Sequence, residues 1–578
     1  MKRFALIMLL FAFSTSLLGA AERRVLILPV EFSDLRFSYG EDAFNDLADS
    51  LEAYFNLQFH GSSTFRFDIG PTASLSKSYK YYGENSPSLN DALMYRGVVE
   101  ACKDVDSKVD FSNYSSSSRE VNDLIILVPG RSEIDAADAN LFWPQTLSLV
   151  DKDVYLVLDK QRIDHYALAT ELDCNGNFTG IGNIAHEYSH LLGLKDIYDT
   201  DGSGSGGTST AMWGCTALMD KGNENCNGHL PPNYNAVDLY ILGIGNGVNL
   251  ENTGTYNLKP INEEGQYYIL PGDVDGEVYL IECRKAEGFD AAIGGSGLLI
   301  YYVDRSENLC GWSDYYKIEL TAAARWSRNQ VNCNPSYQCA MLLAALPEAT
   351  DVSEVFFPQE GHTSISSETD PALTFRSGNS PTFAITGISI AEDGSASFNL
   401  IKPLEITSTD IFQNSVIINW LADENLEVES SEVICMNGSD TVSITAGKAL
   451  EDGNFACCVD SLQSNTEYNF IVRVHTSEGT YSVNTVCKTR PYRNRVYPFI
   501  FLRVDDRNAD GSFPKGCRIP LQVFNIPDAL EYRWFFDGSS ISAGADGYFE
   551  LTRSGELRVE AHRSDGTTDV IIKEITVK

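Results

Sequence analysis

The residues most able to do chemistry lie together in one stretch, Ile181-Gly-Asn-Ile-Ala-His186-Glu187-Tyr-Ser-His190-Leu-Leu-Gly193-Leu-Lys-Asp196-Ile-Tyr-Asp199. Ile184, Tyr188, Leu191 and Leu192 recur at helical spacing, so the stretch reads as an amphipathic helix lying under a cleft. On a helix, His186 and His190 project from one face, and two imidazoles so placed can grip one Zn²⁺ at about 2.0–2.1 Å. Glu187 is turned too far to ligate, yet close enough to take a proton from a water held by the ion. Gly193, three residues after the second histidine, lets the chain leave the helix through a left-handed turn and head back. That turn brings Asp196 round as a third, anionic ligand and leaves a fourth position for water. If Asp196 instead braces a histidine from behind, Asp199 or His229 is the candidate replacement. Tyr198, His229 and Tyr234 lie in the right stretch to face a reacting carbonyl, although each also fits an ordinary structural role.

These side chains need a scaffold. Val25 to Phe32, Leu124 to Val128 and Val154 to Leu158 are short apolar runs that read as buried strands. Phe44, Leu47, Leu51 and Tyr54-Phe55 keep helical spacing between the first two. Strands alternating with helices predict an α/β lobe up to about residue 180. From about 246 the pattern changes to short segments, among them Tyr267 to Leu270, Val278 to Glu282, Leu298 to Val303 and Ala396 to Leu400, parted by Gly, Asp and Asn turns. That predicts β-sheet. Val416-Ile-Ile-Asn-Trp420, with Leu462 ahead of Tyr468 and Phe470, resembles a fibronectin type III module. Similar alternation in Tyr532 to Phe536 and Glu556 to Glu560 predicts a second, immunoglobulin-like sandwich.

The expected organisation is therefore multidomain. Residues 1–21 read as a signal peptide, 22–245 as the metal-binding domain, and 246–403 as an appended β-rich region. A fibronectin type III-like domain at 404–491 and an immunoglobulin-like sandwich at 492–578 complete it. The leader has Lys2 and Arg3 before the apolar run Phe4 to Leu18, then small residues Gly19-Ala20-Ala21 for a signal peptidase. The run is too short for a span of about 20 residues. A secreted chain without a transmembrane segment is the expectation. In keeping with that destination there are 13 cysteines, for which Cys215 with Cys226 and Cys333 with Cys339 are candidate local bridges.

Composition removes other classes of function. The 578-residue chain holds 43 Lys plus Arg against 80 Asp plus Glu, a formal net charge of -37. So acidic a surface repels phosphate, which argues against nucleic-acid and anionic-membrane partners. With 43% hydrophobic residues, ordinary cores can form, and wholesale disorder is excluded.

The stretch from His186 to Asp199 resembles the motif HExxHxxGLxDxYD of the immune-inhibitor-A-like secreted metallopeptidases. The similarity extends to Val25 to Asp34, Val109 to Tyr114 with Val121 to Gly130, Met212-Trp-Gly-Cys-Thr-Ala-Leu-Met219, Pro232 to Gly243, and Tyr279 to Arg284 with Gly297 to Asp304. It covers about residues 24 to 400. The resemblance implies a metzincin-like α/β catalytic lobe and a zinc endopeptidase of extracellular proteins or peptides. In it His186, His190 and Asp196 would be ligands, Glu187 the catalytic base, and Met219 a structural Met-turn residue beneath the metal. Lys195 stands where members of the family usually carry Pro. Asp199, Asp201 and the loop Gly202 to Gly207 have two readings, a Ca²⁺ site or a flexible rim, and the spacing is not that of an EF-hand. A competing class of function is a surface adhesin, or a glycan- or protein-binding factor, with a degenerate peptidase lobe. Its cell-surface or glycan contacts would be made by the C-terminal modules. The intact Glu187 speaks for catalysis.

Overall fold

In the computed structural model, residues 21–578 are described apart from 88, 116–117, 211, 273, 377–382, 425, 451–452, 478, 492–497, 504–505, 525, 527–528, 545–546 and 564–565. Residues 1–20 of the proposed leader thus lie outside the described residues, as do parts of the Ser115 to Ser118 loop and of the link after 491. The protein is multidomain and β-rich, with several β-sandwiches. Among the described residues no helix is long and apolar enough to cross a membrane.

The first part is built on a mixed sheet. Its strands are β1 (Ala21–Glu31), β2 (Ser63–Ile69), β3 (Leu124–Arg131), β4 (Gln145–Ser148) and β5 (His165–Leu172). Their spatial order is β2-β1-β3-β5-β4, parallel except for the antiparallel edge strand β4. Alternate residues of the buried strands feed opposite faces, as a pleat requires. Val25, Ile27, Ile125, Leu127, Ala167 and Ala169 meet helices α1 (Glu41–Gln58) and α3 (Gly182–Leu192). Leu26, Leu28, Ile126, Val128 and Leu168 meet helix α2 (Met94–Val105) on the other side. Burial on both faces explains why β1 and β3 are runs of apolar residues without alternation.

One expected strand is displaced. Leu156–Leu158 does not join the main sheet; it turns through Asp159 and Lys160, both at positive φ, and pairs with Gln161–Ile163 in a small separate sheet. The main-sheet strand is β5, whose sequence HYALATEL carries no period that separates strand from helix.

Beyond β5, helix α4 (Ala236–Leu242) starts at Asn235, whose side chain closes a capping box with Asp238. The following sheet contains Gln266–Pro271, Glu277–Arg284, Gly297–Asp304 and Ala340–Leu343 as antiparallel neighbours. Glu277–Arg284 and Gly297–Asp304 are buried along their whole length. Their inner residues Leu280, Leu299 and Tyr301 belong to the same core as Tyr54, Tyr188 and Tyr234, so one continuous core crosses residue 245. At its centre Arg284, fully buried, pairs with Glu282 at 3.1 Å and with Asp290, and Glu282 accepts from the Tyr301 hydroxyl at 2.7 Å. A buried charge of this kind is tolerable only when its partners are this complete.

The chain divides into two compact units, one of residues up to 410 with 417–459 and 468–487, the other of 411–416, 460–467 and 488–578. The later strands of the first unit make two four-stranded sheets, with Trp420 fully buried and stacked on Phe455 at 5.7 Å. In the second unit Ala529–Phe536, Gly555–Arg563 and Thr568–Ile575 form an antiparallel sheet with Ser539–Ile541. Its core includes Trp534, Phe536, Leu557 and Val559.

Candidate metal centre

Helix α3 is held rigidly from behind. The Tyr188 hydroxyl donates to Asp123 Oδ1 at 2.6 Å, where Arg23 Nε also donates at 2.8 Å. Ser189 Oγ meets the buried Tyr234 hydroxyl at 2.6 Å. Gly182, at the first turn, packs where a Cβ would come within 2.0 Å of the Asn223 carbonyl. Gly193 closes the helix at φ 118, a conformation that L side chains rarely adopt, and sends the chain back toward it.

The returning loop brings Asp196 to both histidines. Its Oδ1 lies 3.0 Å from His186 Nε2 and 3.3 Å from His190 Nε2. The opposite ring nitrogens are spoken for: His186 Nδ1 sits 2.8 Å from the Leu218 carbonyl, and His190 Nδ1 3.0 Å from the Leu194 carbonyl. A carbonyl oxygen only accepts, so each Nδ1 carries the proton and each neutral ring turns a lone pair toward Asp196. Asp196 Oδ1 is buried and has no hydrogen-bond partner of suitable geometry despite its short distances. Three lone-pair-bearing atoms within 4.8 Å of one another repel unless a positive charge stands between them. Tetrahedral zinc with bonds of about 2.0–2.1 Å sets its ligand atoms about 3.3 Å apart, which matches the Asp196 distances.

Burial works against a charged His186, but with no cation between the three side chains the Asp196 and Glu187 carboxylates outweigh it and push the ring up to about 9. Burial would raise Asp196, yet the two imidazoles beside it hold it well below the usual carboxylate range. Glu187 is raised by burial, against the pull of the two histidines.

Glu187 lines the cleft beside His186, His190 and Asp196, with its Oε2 3.2 Å from Thr146 Oγ1. Two hollows of about 650 and 890 Å³ meet there and share Trp143, Pro144, His186, Glu187 and Tyr198. The Tyr198 ring stacks at 6.5 Å on His186 and is partly exposed. Tyr234 is instead buried behind the helix, and His229 is exposed outside the ligand cluster. Met219 is fully buried and its carbonyl accepts from Ile197 N–H at 3.1 Å, next to the Leu218 carbonyl that fixes His186. Asp199, Asp201 and Cys333 form a second acidic group. There Asp199 accepts from the N–H of Asp201, Gly202 and Ser209, and Asp201 from Ser205 Oγ, so much of this carboxylate capacity folds the loop itself.

Two site residues have no local signal in the sequence. Thr146 comes from β4, and Asn329 lies 133 positions beyond Asp196. Asp196 N–H donates to Asn329 Oδ1 at 2.8 Å, and Asn329 Nδ2 donates to Asp196 Oδ2 at 2.6 Å. Asn332 Nδ2 holds the next carbonyl, that of Ile197, at 2.6 Å. Only a pairing between distant segments could have revealed them.

The cysteines differ from the expected bridges. Cys333 contacts Thr200 Oγ1 at 3.2 Å, and Cys339 is fully buried in the core. Cys215 donates to the Ile293 carbonyl at 3.5 Å, and Cys226 is exposed. Spacing along the chain suggested neighbours in sequence, and the intervening loops carry them to other partners.

No family model and no curated protein matches the chain. Among solved structures, a chimeric titin Z1Z2 is 14% identical over 30% of this chain and 96% of its own, with a TM-score of 0.15. The fibronectin type III domain of a human fibronectin type III domain containing protein is 18% identical over 16% of this chain and 84% of its own, with a TM-score of 0.13. An engineered protein is 17% identical, with a TM-score of 0.14; the match spans 15% of this chain and 19% of that one. Likeness at this level carries no argument about the site.

Proposed function

We propose that this chain is a secreted zinc-dependent endopeptidase that hydrolyses peptide bonds of extracellular proteins, with a metzincin-like catalytic lobe of the immune-inhibitor-A type. The observation that carries the reading is the convergence of His186 Nε2, His190 Nε2 and Asp196 Oδ1 with their lone pairs facing one point, beside the Glu187 carboxylate and at the junction of two hollows. An open groove on either side of the centre suits an extended chain rather than a small enclosed substrate. The leader-like segment Met1 to Ala21 supports export. The later sandwiches suit attachment to a cell surface or glycan.

When bound, zinc supplies a Lewis acid that polarises the scissile carbonyl and makes water nucleophilic near neutral pH. His186, His190 and Asp196 would hold it, with the imidazoles oriented by Leu218 and Leu194 and the carboxylate by Asn329. Glu187 accepts a proton from the attacking water and then delivers it to the amine as the C–N bond breaks. Thr146 steadies the carboxylate that makes this transfer.

The test is casein or gelatin cleavage by the purified chain, with and without chelator, beside Glu187→Gln. Cleavage abolished by both supports the reading. Cleavage indifferent to both removes it, and adhesion without cleavage by zinc-loaded protein would favour the binding role instead.

A further inference from the structure

The two hollows that meet at His186 and Glu187 differ in charge. Away from the centre itself, the smaller is lined by Glu120 but also by Lys195 and His165. The larger is lined by Asp135, Asp173, Asp199, Asp220 and Glu224, with Lys221 as the one lysine or arginine among its described residues. In a chain of net charge -37, acidic side chains on a rim are ordinary. Asp199 is also occupied by N–H groups of its own loop, and Asp135 by Ser132 Oγ at 2.8 Å. Asp220 is the exception. It is 8% exposed, and no other described side chain hydrogen-bonds or ion-pairs with its carboxylate. Lys221, its neighbour, is exposed and ion-pairs with no described carboxylate. A carboxylate so far withdrawn from water is costly without a positive partner. Asp173, equally buried, accepts from Asn175 and Asn177 N–H at 2.9 and 2.8 Å, both through Oδ1.

This wall is fixed before a substrate arrives. Asp220 stands two residues after the Leu218 carbonyl that meets His186, and its N–H donates to the Ala217 carbonyl at 3.2 Å. The chain then turns back, with Gly222 N–H donating to the same carbonyl at 2.9 Å. Asn223 Nδ2 donates to Asn183 Oδ1 at 2.7 Å and Gly182 N–H to the Gly228 carbonyl at 2.8 Å, which pins the segment to the start of helix α3. Trp143, Pro144 and Met212 line the same hollow and offer apolar surface. Fixed carboxylates beside apolar surface match a long aliphatic side chain that ends in a cation.

We propose that this hollow is a specificity pocket for an arginine or lysine side chain next to the scissile bond, with Asp220 as its main anion and Asp173 and Glu224 as further acceptors. The proposal rests on the endopeptidase reading above and names its substrate class. A guanidinium meets a carboxylate through two parallel hydrogen bonds, whereas an uncharged side chain of the same length leaves Asp220 buried without a counter-charge.

The test is binding of two labelled Ala-Gly peptides to the full chain carrying Glu187→Gln, which should hold a peptide without cutting it. The peptides differ only in a central arginine or citrulline, the second keeping the length and losing the charge. The arginine peptide should bind about 10- to 100-fold tighter, and adding Asp220→Asn should bring the ratio below about 3. Equal binding of the two peptides, or a ratio untouched by Asp220→Asn, overturns the pocket. If Asp220→Asn does not fold, the exposed Glu224→Gln takes its place with an expected fall of about threefold, and no fall is again fatal. In parallel, cleavage sites left by the wild-type chain in casein should carry Arg or Lys at one fixed position beside the cut. Chelator-sensitive cleavage without that residue overturns the pocket and leaves the endopeptidase standing. Absence of any chelator-sensitive cleavage removes the endopeptidase reading, and the substrate role of the hollow with it.

Discussion

Asn329 grips Asp196 with both ends of its side-chain amide, accepting from the backbone N–H at 2.8 Å and donating to Oδ2 at 2.6 Å. This leaves Oδ1 alone facing the histidines, so one amide fixes both the position and the orientation of the carboxylate proposed as third ligand. Asn329→Ala should lower zinc affinity about 10- to 100-fold, the usual cost of losing an outer partner of a ligand. Competition with a chromophoric chelator measures it. Affinity equal to wild type would show that the loop holds Asp196 without help.

Glu187 is assigned to proton transfer and not to ligation. Glu187→Gln should cut turnover by about 10²- to 10⁴-fold while the metal content per chain, measured by elemental analysis, stays that of the wild type. Loss of metal together with activity would instead make Glu187 part of the binding set.

Removing the metal should lower the unfolding midpoint. A cation that binds only the folded chain stabilises it by about 2.7 kcal/mol when its free concentration is 100 times its dissociation constant. Dialysis against chelator followed by calorimetry should show the loss, and added zinc should reverse it. The same protocol applied to Asp196→Asn should give a much smaller difference.

Gly193 stands at φ 118. Gly193→Ala puts a Cβ into backbone that strains any L residue, and should destabilise the chain by about 1–2 kcal/mol. The larger effect should be on zinc affinity, because the strained exit shifts Asp196 away from the histidines. Denaturant unfolding and chelator competition on the same samples separate the two.

Asp91 provides a pH signature outside the metal centre. Burial pushes its carboxyl up to about 7, although Trp143 N–H and Gln145 Nε2 donate to its Oδ2. Its folded value exceeds the unfolded one, so the folded chain binds the extra proton. Its contribution is full below about pH 4 and is lost as the pH rises through about 7. A shift of this size corresponds to an upper bound of about 4 kcal/mol. Asp91→Asn keeps the acceptor and cannot ionise, so it should flatten this part of the stability profile and raise the midpoint at pH 8. An unchanged slope between pH 4 and 8 would remove Asp91 as its source.

The sequence determined the pieces whose meaning is local. Helical spacing from Ile184 to Leu192, the glycine exit at 193, and apolar runs such as Leu124 to Val128 follow from backbone geometry and neighbouring residues alone, so they were legible before any fold was known. Position relative to distant chain was not. His165 to Leu172 gives no period by which to recognise the inner strand β5, and Cys333 gives no sign that it meets Thr200. Nothing near Asp196 points to Asn329. Those relationships depend on which faces become buried together when the sheets assemble, and burial is a property of the packed chain as a whole. The residue types of the candidate centre were therefore written in a dozen residues, but the orientation that brings them together came only with the tertiary structure.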